Sequence, residues 1–224
     1  MGKKWKGISS STLKIIAVVS MLIDHFGVGI YSFLPHFQDN IYQCIRLAGR
    51  IAFPIYCFLL VEGFSYTKNR KKYLERLILF AFISEVPFDM TSAGTFFDSS
   101  AQNVFFTLAT GLAVIILLEK YQHSAIKQIV VIAVGAGLAQ VLDFDYHYLG
   151  VLFIVMFYYL RNVNSWVRDI VGAVAFSYEI TAPLAFIPIH LYNGKRGLKL
   201  KLFFYWIYPV HLFIYGLIRM FILK

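Results

Sequence analysis

Long apolar stretches separated by short polar ones recur along the whole chain. They run over Leu13–Leu34, Ile45–Tyr66, Tyr73–Asp89, Asn103–Leu118, Ala125–Leu142, Tyr146–Leu160, Trp166–Ser177, Ile180–Leu191 and Leu200–Leu223. A bilayer crossing needs about 20 such residues. The connections are short, which suits one bundle of antiparallel neighbours. The pattern predicts an all-α polytopic transmembrane helical bundle of about nine membrane segments, in a single unit over residues 1–224. The seventh and eighth segments reach only about 18 Å each at 1.5 Å per residue, against a hydrocarbon core of about 30 Å. Fusing them into one tilted helix would put Arg161 and Arg168 on the opposite face from Lys195 and Arg196. A short helical hairpin over Trp166–Leu191 is therefore expected, tolerable at membrane depth only if buried in protein or lining a cavity.

The polar connections alternate in charge. One set carries Lys3, Lys4 and Lys6, then Lys68, Arg70, Lys71 and Lys72, then Lys120 and Lys127, then Arg161 and Arg168, then Lys195, Arg196, Lys199 and Lys201. The other carries Asp39, Asp89, Asp98, Asp143, Asp145 and Glu179. Cytoplasmic loops gather Lys and Arg, so the N-terminus is expected in the cytoplasm and Lys224 outside, in an inner or plasma membrane. No small-residue cleavage site closes the first apolar run, which reads as a retained helix.

Composition narrows the class. The chain is 59% hydrophobic and 15% charged, well below the roughly 25% charged residues of soluble domains. Disordered chains, disulfide scaffolds and ordinary water-soluble enzymes are excluded. The net charge of +9 reads as membrane topology and not as nucleic-acid binding. Cys44, Cys57 and the six scattered histidines show no metal-ligand spacing.

Ionisable residues inside spanning helices are costly and mark function by default. The first segment carries Lys14, Asp24 and His25; Lys14 and His25 share a face about 16 Å apart along the helix. The second carries Arg46, Arg50 and Glu62, the third ends with Glu85 and Asp89, and the ninth bears Tyr208, His211, Tyr215 and Arg219 at helical spacing. Arg50, Glu85, Asn103 and Asp145 fall near outer ends, while His25 and His211 fall near mid-depth. Plainer roles compete. Lys14 can snorkel to the headgroups, and Arg50 can pair with Glu85 or Asp24. His190 can cap its helix C-terminus. His36, His123 and His147 read as solvated. The turn Asn193-Gly194-Lys195-Arg196-Gly197 suits either a phosphate or a simple basic connection.

Several stretches carry a family resemblance. They include Met21-Leu22-Ile23-Asp24-His25, Gly49-Arg50-Ile51-Ala52-Phe53-Pro54, Ile83-Ser84-Glu85-Val86-Pro87-Phe88-Asp89, Gln102-Asn103-Val104-Phe105-Phe106-Thr107, Asn193-Gly194-Lys195-Arg196-Gly197 and Tyr208-Pro209-Val210-His211. In this order, and over nearly the whole chain, they resemble the TraX family, named for a conjugal-transfer protein that acetylates the N-terminus of pilin. The resemblance implies an integral-membrane acetyltransferase using acetyl-coenzyme A, distantly similar to membrane acyltransferases that modify sugars. In those enzymes a first-helix histidine and membrane arginines serve the reaction, positions matched here by His25 and Arg50. One departure is His147, where the family pattern has a small residue, usually glycine.

The expected chemistry follows from both readings. Lys14, Asn193, Lys195 and Arg196 would hold the anionic end of acetyl-coenzyme A. His25 would act as general base, oriented by Asp24 or Glu85, with His211 as the runner-up base. Arg50 or Asn103 would stabilise the thioester oxyanion. The acceptor would be a peptide amine or a glycan. A small transporter or flippase, and a structural component of a conjugation or secretion assembly, are the competing classes.

Overall fold

The protein is described here from a computed structural model covering residues 7–223. Lys3, Lys4, Lys6 and Lys224 lie outside the described residues, as does the side chain of Lys201. The helices are α1 (Ser10–Gly29), α2 (Asp39–Gly49), α3 (Ala52–Tyr66), α4 (Arg70–Ser92), α5 (Val104–Lys120), α6 (Ala125–Val141), α7 (His147–Leu160), α8 (Ser165–Ala175), α9 (Phe186–His190) and α10 (Lys201–Phe221). Single 3-10 turns follow α1 at Tyr31–Phe33 and precede α9 at Ala182–Ala185. Each of the nine apolar segments contains helix. Among the described residues, three stretches are long and apolar enough to cross a membrane by themselves: Ser10–Phe33, Asp39–Tyr66 and Leu202–Phe221.

The bundle turns its apolar side chains outward as well as inward. Ile126, Ile129, Val134 and Val141 of α6, and Trp166, Ile170 and Val174 of α8, are all exposed. Such continuous apolar surface is a membrane surface and not a water surface. Helix α3 is at the centre, packed against α1, α5 and α7, and buries Phe53, Ile55, Phe58, Leu60 and Phe64.

One expected segment is two helices. Ile45–Tyr66 breaks at Arg50–Ile51, between α2 and α3. The cause is Pro54, whose ring removes the amide that would bond the Arg50 carbonyl and crowds that carbonyl. Placed in the first turn of α3, the proline costs that helix nothing, because those amides lack helical partners anyway. The carbonyls freed at the end of α2 find hydroxyls instead. Ser20 Oγ donates to Ala48 O (2.7 Å) and Gly49 O (2.9 Å), and Thr181 Oγ1 donates to Leu47 O. The break thereby ties α2 to α1 and to the turn after α8.

The expected short hairpin is present as α8 followed by the 3-10 turn and α9. Its two arms are joined by a hydrogen bond between His190 Nδ1 and Asp169 Oδ2 (2.7 Å), so His190 pairs across the hairpin. The second arm is short and begins as a 3-10 turn before α9, with Pro183 and Pro188 each lacking an amide hydrogen to donate. Helices α4 and α10 run parallel and make the most extensive helix pair: Phe80 packs on Tyr205, and Thr91 Oγ1 donates to Leu212 O (2.6 Å). Gly216 permits this, because a Cβ there would stand 2.5 Å from Cβ of Met90.

The connections segregate by charge. At one end, the amides of Ser10 and Ser11 donate to the carbonyls of Lys195 and Arg196, Arg161 pairs with Glu62 (3.2 Å), and Arg70 pairs with Glu119. This is the basic end. At the opposite, acidic end, Gln102 exchanges backbone hydrogen bonds with Asp143 and Asp145, and Arg50 pairs with Glu179 (3.2 Å).

Candidate functional site

Helix α1 carries His25 and α10 carries His211 to a common point between them. Nδ1 of His25 lies 2.7 Å from Nε2 of His211, with the rings 4° from parallel. Nδ1 of His211 lies 2.7 Å from the Ile207 carbonyl oxygen. A carbonyl only accepts, so His211 Nδ1 bears the hydrogen. In the neutral ring Nε2 then accepts, and His25 Nδ1 donates to it. The remaining nitrogen, His25 Nε2, is left with its lone pair. His211 is buried, and His25 is partly exposed.

Below the pair, towards the basic end, lies a cavity of about 600 Å³. Its lining includes the polar Ser10, Lys14, Glu62, Arg76 and Arg196 and, at the head nearest the histidines, Met21, Tyr56, Phe105 and Tyr208. Glu62 is engaged by Arg161, and Nε of Arg76 is buried without a hydrogen-bond partner. Lys14 lies over the Phe204 ring, 5.4 Å from its centroid. The cavity stops one helical turn short of His25, at Met21 and Tyr208. Tyr208 is the link between the two: its ring stands edge-on to His25 (5.8 Å) and to His211 (5.7 Å), and its hydroxyl meets the backbone amide of Val104, the first residue of α5.

On the acidic side, Asp24 pairs with Arg46 (2.7 Å), and Arg50 pairs with Glu179 and meets Tyr146. Asp24 Oδ1 is buried without a hydrogen-bond partner. The loop between α6 and α7 closes this cluster. Asp143, Tyr146 and His147 have φ of 49°, 64° and 46°, the left-handed region that costs non-glycine residues energy. Such strain needs anchoring. Thr107 Oγ1 donates to the Asp145 carbonyl, and Tyr146 stacks on Phe53 at 3.5 Å between centroids. The departure at His147 thus falls where the backbone itself favours glycine. Burial pushes the Asp145 carboxyl up to about 6; the negative Asp24 adds to this, and Arg50 opposes it.

The residues singled out from the sequence therefore separate. His25 and His211 meet. Lys14 and Arg196 share the cavity, while Asn193 and Lys195 lie outside its lining. Asn193 Oδ1 accepts from the Lys195 amide (3.0 Å), and Lys195 is exposed, so these two shape the turn that caps α1. Asp24 and Glu85 do not orient His25: Asp24 is taken by Arg46, and Glu85 by the side chain of Asn103. His211 fills that place instead. Asn103 is the N-cap of α5, accepting from Phe105 N (3.0 Å) and donating to Ala81 O (2.8 Å) as well as to Glu85. Both amide hydrogens are used, so it offers none to an oxyanion. Arg50 is paired with Glu179, and not with Glu85 or Asp24. Arg76 and Tyr146 were not singled out. Arg76 sits inside the third apolar segment, and the rule applied to Lys14 would have found it.

A family model described as TraX protein matches residues 9–219. A probable fimbrial assembly protein FimC, serogroup H1, from Dichelobacter nodosus is 28% identical, in an alignment covering 96% of this chain and 97% of that protein. No solved structure matches at a significant level.

Proposed function

We propose that this chain, which belongs to the TraX family, is an integral-membrane acetyltransferase. It takes acetyl groups from acetyl-coenzyme A held in the basic-end cavity and passes them to an amine or hydroxyl arriving from the acidic end. The observation that carries this reading is the His25–His211–Ile207 hydrogen-bond chain, which leaves one imidazole nitrogen of His25 free to take a proton one helical turn beyond the head of a cationic cavity. The cavity falls within the 300–1,000 Å³ of small-molecule sites. Lys14, Arg76 and Arg196 suit the phosphates of the donor, with the unpaired Arg76 Nε a ready hydrogen-bond donor. The aromatic head suits a small acyl thioester.

When bound, acetyl-coenzyme A supplies the activated acetyl group, and the chain's own residues do the rest. His25 Nε2 removes the acceptor's proton. His211 holds the ring by accepting from Nδ1, and positioned acid–base catalysis of this kind contributes about 10²–10⁴-fold. Met21, Tyr56 and Tyr208 narrow the head of the cavity, which limits water access to the thioester. The basic end faces the cytoplasm, where the donor is made, by the distribution of Lys and Arg. The relative's role in fimbrial assembly favours a peptide amine, such as an exported pilin N-terminus, over a glycan as acceptor.

The test is acetyl transfer from labelled acetyl-coenzyme A to a pilin N-terminal peptide by the purified chain in lipid nanodiscs. Transfer is expected, with His25→Ala losing at least 10²-fold. Unchanged turnover in the variant removes His25 from the mechanism. Absence of transfer to peptide amines, sugars and lipid headgroups alike overturns the enzyme reading in favour of a structural part in assembly.

A further inference from the structure

The expected stabilisers of a carbonyl oxygen are engaged elsewhere. Arg50 is committed to Glu179 at the acidic end, and Asn103 has spent both amide hydrogens. At the head of the cavity the polar atoms are phenol oxygens. The Tyr56 hydroxyl is directed at Sδ of Met21 (3.6 Å). Tyr208 is placed differently. Its oxygen lies towards the amide of Val104 at the start of α5, an N–H that can only donate to it, so the phenol hydrogen is left to give. A donor at a helix N-terminus also polarises that O–H, making it a stronger donor. The ring is buried, lines the cavity on one side and touches both imidazoles on the other. Pro209, the next residue, leaves the Tyr205 carbonyl without its helical amide and so loosens α10 at this level.

We infer that Tyr208 is a further catalytic residue, whose phenol hydrogen-bonds the carbonyl oxygen of an acyl thioester seated in the cavity head. The inference rests on the acetyltransferase reading above. As an acceptor nitrogen adds to the carbonyl carbon, the N–C bond forms and the nitrogen's proton passes to His25 Nε2. The C=O electron pair moves onto the oxygen that faces Tyr208. When that pair returns, the C–S bond breaks and the sulfur leaves with the proton held by His25. Tyr208 donates a hydrogen bond throughout and keeps its proton.

The test uses the full chain in nanodiscs and the infrared band of acetyl-coenzyme A labelled with carbon-13 at the acetyl carbonyl. Bound to the unaltered protein, the band is expected below its position in the free donor. Tyr208→Phe, which keeps the ring contacts, should return it to the free position. The same variant should lower kcat by about 10²–10³-fold, the loss typical of one oxyanion donor, with KM for the donor within threefold. Tyr148→Phe, at an exposed ring outside the cavity lining, should leave both readouts unchanged. If Tyr208→Phe fails to fold, 3-fluorotyrosine at position 208 keeps the shape, and its more acidic phenol should lower the band further. An unmoved band, or a kcat within threefold of the unaltered protein, overturns the role of Tyr208 while transfer by that protein leaves the enzyme reading standing. If the unaltered chain transfers no acetyl, the enzyme reading fails and the role of Tyr208 fails with it.

Discussion

His25 and His211, 186 residues apart in sequence, share a 2.7 Å hydrogen bond between Nδ1 of the first and Nε2 of the second. The Ile207 carbonyl fixes the direction of that bond, because it can only accept. A backbone group one turn away on α10 thereby sets the tautomer of a side chain on α1. The pair also explains why no carboxylate is needed to orient His25: Asp24 and Glu85 are spent on Arg46 and Asn103.

The two histidines should act as one unit. His25→Ala is expected to cost about 10²–10⁴-fold in kcat. His211→Ala frees the His25 ring to rotate and to change tautomer, and should cost less. Because the two share one function, the double variant should be no slower than His25→Ala alone. A double-mutant cycle on acetyl transfer checks this. Additive losses would show two independent roles.

The cavity separates cations that the sequence alone treats alike. Arg76→Gln removes a buried guanidinium at the cavity wall and should raise KM for acetyl-coenzyme A by about 10-fold, the size of one lost charge-assisted hydrogen bond. Lys195→Ala removes an exposed charge outside the lining and should leave KM within twofold. Saturation curves on the two variants side by side are the measurement, and equal effects would contradict the cavity assignment.

The fold was largely legible because membrane-facing helices declare themselves by apolar runs and by charge alternation in their connections. The segregation of Arg161, Lys195 and Arg196 from Asp143, Asp145 and Glu179 was readable from order alone. The break at Arg50–Ile51 was less so. A continuous apolar run masks it, although Pro54 carries the signal, four residues after the carbonyl it displaces. Within the site, His25 stood out as a mid-helix ionisable group. Its partner did not, because nothing in the spacing along α1 indicates which residue of α10 lies beside it. Neighbours in sequence misled for the same reason: Asp24 is adjacent to His25 but about 100° away around the helix, and it faces Arg46.

Gly49 is needed for that Asp24–Arg46 pair. A Cβ at Gly49 would stand 2.2 Å from Asp24 Oδ1, against a carboxylate already held by Arg46. Gly49→Ala should force Asp24 and α2 apart, at a cost of about 1–3 kcal/mol, the usual range for overpacking. Thermal melting in detergent should show a fall of several degrees. An unchanged melting temperature would mean that α2 shifts freely against α1.

His147 has φ of 46° in the strained loop before α7, where a glycine carries no left-handed penalty. His147→Gly should relieve about 1 kcal/mol of that strain after its own entropic cost is set against it. The melting temperature should rise by about 2–4 °C for a chain of this size. A fall would assign the His147 side chain a contact that outweighs the backbone term.

The same loop gives a pH dependence whose sign follows from Asp145. Its carboxyl is pushed up to about 6 in the folded protein from the ordinary 3.8 of an aspartate, because burial and the negative Asp24 disfavour the charged form. Between these values the folded state holds a proton that the unfolded chain has released. The linkage relation then makes stability fall as pH rises through that interval and level off above it. Melting temperature measured from pH 4 to pH 7 should therefore decline, and Asp145→Asn, which mimics the protonated form, should remove that part of the decline. Ionised Asp145 stands close enough to Arg50 and Asp24 to change the charge of the acidic cluster, so acceptor binding should shift across the same interval in the unaltered protein and not in the Asn variant. A profile identical in both would place the titrating group elsewhere.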